Sequence, residues 1–107
     1  MTLYAVAEDL LADAGIAGPE AKLAIQKLMR SSLDNLAIST PDRALTGPIA
    51  RGDVETVARH CEALYDTGYL EAYSVLARLT VRLARNLSDQ QREALLQVIL
   101  NQESELL

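Results

Sequence analysis

The chain has 107 residues, half of them hydrophobic, and a net charge of −5, enough for one domain with a single modest core. The acidic balance excludes general nucleic-acid binding, which needs a basic field. No run approaches the roughly 20 uninterrupted apolar residues of a membrane span, and the single cysteine excludes an intrachain disulfide and supplies no metal framework.

The apolar residues are mostly Ala and Leu, with no Trp or Phe. Both are strong helix formers, whereas strands favour β-branched and aromatic residues, so the expected class is all-α. Met1 is followed by Glu8 and Asp9 rather than by a basic start and an apolar run, so no secretory leader is expected. A reducing, cytoplasmic compartment follows as the natural one.

Pattern predicts five helices. The first runs from about Thr2 to Ala14, with Leu3, Ala7, Leu10, Leu11 and Ala14 on its apolar face, and stops at Gly15. Gly18-Pro19 opens the second, because proline tolerates the first turn and Glu20 suits its positive end. That helix runs to about Ala37, with Ala21, Ile25, Leu28, Met29, Ser32, Leu33 and Leu36 as its inward face. Ser39-Thr40-Pro41-Asp42 breaks it.

Arg43 to Asp53 then forms the one long segment not expected to be helical. Asp53 is the expected N-cap of a third helix, Val54 to about Tyr65, buried through Val54, Val57, Ala58, Cys61, Leu64 and Tyr65. A turn at Asp66-Thr67-Gly68 leads to a fourth helix, from Tyr69 or Leu70 to Arg85. It is apolar nearly all round apart from the stripe Arg78, Arg82 and Arg85, so it is expected to be central or to lie in an interface. Ser88 and Gln91 make a capping box for a fifth helix that continues to about Glu103, with Leu95, Val98, Ile99 and Gln102 on one face.

No complete catalytic centre is visible. His60 and Cys61 are adjacent on a helix and point about 100° apart, so they cannot form a simple nucleophile–base pair. Cys61 reads as a core residue and His60 as a surface one. No set of convergent metal ligands exists, so no metal is expected. The arginine stripe reads as solvated cover over apolar neighbours. The Arg43–Asp53 loop is either a tight connector or a ligand contact; its glycines, Gly47 and Gly52, lack the spacing of a dinucleotide or P-loop fingerprint.

The run Ala44-Leu45-Thr46-Gly47-Pro48-Ile49-Ala50-Arg51-Gly52-Asp53, followed by Val57-Ala58-Arg59-His60, resembles the signature of a C-terminal helical domain. That domain occurs in a family of poorly characterised bacterial proteins, where it follows a Rossmann-like NAD(P)-binding domain. Wider relatives include pyrroline-5-carboxylate reductase, ketopantoate reductase, 3-hydroxyisobutyrate dehydrogenase and 6-phosphogluconate dehydrogenase. The resemblance spans roughly Leu3 to Leu87. It implies a helical bundle like the C-terminal domain of 6-phosphogluconate dehydrogenase, occupying residues 1–107 as one domain, closing a substrate cleft and forming a homodimer.

By the same resemblance, Arg51 clamps a substrate carboxylate or cofactor phosphate, Thr46 and the amide of Gly47 orient it, and Asn35 donates to a substrate carbonyl. Pro48, Gly52 and Asp53 shape the loop. No catalytic residue is implied. The chain has no G-x-G-x-x-G and no strand–turn–helix start, so it is expected to bind no cofactor and to be inactive alone, with NAD(P) held by a Rossmann part supplied in cis or in trans. The alternative is a stand-alone helical self-association module without small-molecule chemistry.

Overall fold

The computed structural model describes residues 1–106, with side chains described as far as 102. Every regular element among them is helical, in the order α1 (Thr2–Asp13), α2 (Gly18–Ile38), α3 (Pro41–Ala44), α4 (Pro48–Arg51), α5 (Val54–Leu64), α6 (Leu70–Leu83) and α7 (Asp89–Leu106). The all-α expectation holds, and the five long helices fall where pattern places them. The difference lies in Arg43–Asp53, which holds the helical turn α4 and the end of α3 instead of an irregular loop. Contacts divide the chain into two compact units, Met1–Thr40 and Pro41–Leu107.

The first unit is the hairpin of α1 and α2. Gly15 ends α1 as expected, with its amide on the Ala12 carbonyl and the Ile16 amide on that of Leu11. Pro19 sits in the first turn of α2 beside Glu20. Burial departs from the pattern. In α2 only Ala21 and Ile25 are buried, while Leu28, Met29, Leu33 and Leu36 are 45–70% exposed. In α1 nothing is fully buried, and Leu3 is 66% exposed. The periodicity is real, but a hairpin of two helices has too little partner surface to cover a stripe running the length of a 21-residue helix.

The second unit holds the core. Ile49, Val57, Cys61, Leu70, Ala77, Val81, Leu95 and Ile99 form one buried cluster, with Val54, Leu64, Tyr73, Leu87, Leu96 and Val98 packed on it. Each large aliphatic side chain so buried contributes about 1.5–3 kcal/mol. Helices α5 and α6 form an antiparallel pair around a turn at Thr67, whose hydroxyl donates to the Leu64 carbonyl and accepts from the Tyr69 amide. The Ser88–Gln91 capping box is reciprocal: the Ser88 amide donates to Oε1 of Gln91, and the Gln91 amide to Oγ of Ser88. Arg92 reaches from α7 to donate to the carbonyls of Val81 and Ala84, closing the C-terminal end of α6.

Helix α6 divides its apolar surface in two. Leu70, Ser74, Ala77 and Val81 are buried, while Val75, Leu76, Leu79 and Leu83 are 39–50% exposed. It is thus central, as expected, and also presents a second, uncovered apolar face. Tyr65, expected inside, is 41% exposed, because it follows the last residue of α5, where the chain turns off the bundle. Among the described residues, no helix is long and apolar enough to cross a membrane.

Candidate functional site: an arginine-flanked loop and the face of α5

Residues 47–53 form a sequence of interlocked caps. Gly47, at φ 95°, precedes α4, and Pro48 occupies its first turn. Gly52, at φ 70° and ψ 26°, ends that turn in the left-handed region, where any residue with a Cβ is strained. Its amide donates to the Ile49 carbonyl at 3.1 Å, and the Asp53 amide to the Pro48 carbonyl at 2.8 Å, the paired bonds of a Schellman closure. A Cβ on Gly52 would also lie 2.5 Å from Nε2 of Gln91. The left-handed backbone is what favours glycine there, and a Cβ would in addition displace the Gln91 side chain.

Asp53 then opens α5, as expected. Its Oδ1 accepts from the Thr56 amide at 3.1 Å, and its Oδ2 from the Thr56 hydroxyl at 2.7 Å. These bonds, the hydroxyl's first, hold its carboxyl below the usual value; desolvation opposes them, and the nearby charges of Arg51 and Arg59 add to the lowering. Arg59 also donates to the Thr56 hydroxyl at 3.1 Å. Asp53 is thus a structural cap with two guanidinium groups within electrostatic reach.

The other residues expected at the site fall as follows. Arg51 is exposed at the end of α4, and Thr46 is exposed just before it. Gly47 and Pro48 lie between them, and Gly52 follows Arg51. These five and Asp53 share one unit, whereas Asn35 is exposed on α2 in the other. The arginines of α6 differ from one another: Arg85 pairs with Asp42 at 3.3 Å, Arg82 is exposed and Arg78 is half-buried. Open grooves lie along the hairpin, one lined by Ala5, Glu8, Ala12 and Ala21, another by Met1, Tyr4, Lys22 and Met29.

Cys61 is fully buried, as expected, and burial pushes its thiol up in pKa, away from reactivity. His60 is exposed but has a partner that its sequence surroundings do not suggest. Its Nδ1 lies 3.1 Å from the hydroxyl of Tyr73, and the two rings meet edge to face at 5.9 Å. Residues 60 and 73 lie equally far from the middle of the Asp66–Thr67 turn, so the antiparallel pairing of α5 and α6 brings them together. Thr56 and Arg59 were likewise not legible as loop partners. Among the described residues, no group of three His, Cys, Asp or Glu side chains could hold a metal.

The fold and this site define an all-helical protein that presents a hydrogen-bonded, arginine-bearing loop beside the start of α5. The chain belongs to a family described as a domain of unknown function, DUF2520, which matches residues 1–80 and so includes the whole loop and α5. No curated protein and no solved structure matches the chain.

Proposed function

We propose that this chain is the substrate-binding and dimerisation part of an NAD(P)-dependent oxidoreductase, inactive without a Rossmann-like part that holds the cofactor. The observation that carries the reading is uncovered apolar surface on long helices: Leu28, Met29, Leu33 and Leu36 on α2, and Val75, Leu76, Leu79 and Leu83 on α6. Surface of this kind marks an interaction site. The exposed Arg51, on a loop whose backbone is held from both ends, supplies a cation for an anionic substrate. The resemblance of that loop to a domain that follows NAD(P)-binding domains supplies the cofactor. The usual pyrophosphate cradle is a strand-to-helix junction, which this reading assigns to the Rossmann-like part.

The same apolar faces also favour the second reading, a helical self-association module without a small-molecule role. Light scattering at micromolar concentration tests the part common to both. A dimeric mass is expected, falling to the monomer mass in a Leu76→Glu/Leu79→Glu variant; a monomeric parent chain overturns dimerisation. Titration of NADP(H) into the complete gene product separates the two readings. Saturable nicotinamide binding is expected, and its absence removes the oxidoreductase reading. The Arg51 clamp is tested by Arg51→Ala, which is expected to weaken substrate binding; unchanged affinity rejects it.

A further inference from the structure

Helix α6 carries two apolar faces, and the chain buries one of them. Leu70, Ser74, Ala77 and Val81 are buried. Ala72, Val75, Leu76, Leu79 and Leu83 are exposed, the last four at 39–50%. At about 100° per residue the two sets centre on opposite sides of the helix. Positions 72, 76, 79 and 83 alternate steps of four and three, the spacing of a coiled-coil seam. A seam of that kind packs best against a helix with the same spacing.

The flank beside this seam is charged, and its sign changes along the helix. Glu71 stands in the first turn of α6 and Arg82 in the last. They are close to three whole turns apart, so both project on the same side of the seam, and both are exposed. Of the other two arginines, Arg85 is held by Asp42. Arg78 is half-buried, has a partner of its own and lies further round, away from the seam. The opposite flank holds Tyr73 and Thr80, which carry no charge at neutral pH.

This pattern selects its own partner. A two-fold axis perpendicular to α6 pairs the helix antiparallel with its copy and keeps both charged flanks on one side. With Leu76 against Leu79 of the second copy, Ala72 faces Leu83. Glu71 then lies ~3 Å along the axis from Arg82 of the second copy, and the symmetry makes this contact twice. A parallel pair puts the two flanks on opposite sides, where acid and base do not meet. We infer that the exposed seam of α6 docks a second copy of this chain as an antiparallel helix pair, closed along its charged flank by two Glu71–Arg82 ion pairs. The inference rests on the dimerisation reading and deepens it by naming the face, the matching face and their polarity.

Sedimentation equilibrium of the full chain at low ionic strength tests it. Glu71→Arg and Arg82→Glu, each alone, set like charges across the flank. Each is expected to raise the dimer dissociation constant about tenfold, the scale of two rim ion pairs. Mixed in equal amounts, the two variants restore opposite charges at both contacts, so the mixture is expected to associate more tightly than either variant alone. Single variants that associate as the parent does, or a mixture no tighter than its components, overturn the antiparallel pair. If Leu28→Glu/Leu33→Glu on α2 dissociates the dimer and Leu76→Glu/Leu79→Glu does not, the interface is on α2; that result overturns this inference and keeps dimerisation. A parent chain that stays monomeric removes both.

Discussion

The hairpin of α1 and α2 and the bundle of α3 to α7 are written in similar sequence, helical and rich in Ala and Leu, yet they use it differently. The bundle surrounds its apolar stripes with three long helices and buries Val57, Cys61, Leu95 and Ile99 completely. The hairpin has two helices and leaves most of an equally regular stripe on α2 in solvent. Periodicity thus says which face of a helix seeks cover, but not whether the same chain supplies it.

Substitutions separate the two regions, and the largest effects belong to the bundle. Leu95→Ala, at a fully buried position, is expected to lower unfolding free energy by about 2–5 kcal/mol in a denaturant titration. Gly52→Ala forces a Cβ into the left-handed region and against Gln91, with an expected cost of about 1–3 kcal/mol. Asp53→Ala removes the cap of α5 and should lower Tm by less.

The Asp53 cap also carries a pH dependence of known sign. Its native pKa lies below the unfolded value of 3.8, so folding favours the ionised form. The stabilisation is fully present above that value and is lost as the pH falls through the lower native one. Parent and Asp53→Ala denaturation midpoints are therefore expected to converge in acid. The smallest effect is expected from Leu33→Ala in the hairpin, within about 0.5 kcal/mol when measured on monomer at high dilution. A core-sized loss there would erase the contrast between the units, whereas weakened association with unchanged monomer stability would sharpen it.

What was legible follows from how local each signal is. The long helices, the Ser88–Gln91 box, the Asp53 cap and the core position of Cys61 each depend on residues within a turn or two of one another. Helices α3 and α4 escaped because four residues have no period to detect; proline at the start of each, and glycines around α4, make them instead. The pairing of His60 with Tyr73 spans thirteen residues and depends on the α5–α6 hairpin being antiparallel, which no local pattern states. The loop itself was visible by composition, but its tie to α5 through Thr56, which bonds Asp53 and accepts from Arg59, was not.

Asp53 closes one helix with its amide and opens the next with its carboxylate. Two hydrogen-bonded rings are thus threaded through a single residue, and neither opens without loosening the other. The amides of Gly52, Asp53 and Thr56 are therefore expected to exchange hydrogen with solvent as one cooperative unit, at the pace at which α5 unfolds rather than that of a surface connector. A ligand arriving at Arg51 would meet an edge already ordered, with little entropy left to lose on binding.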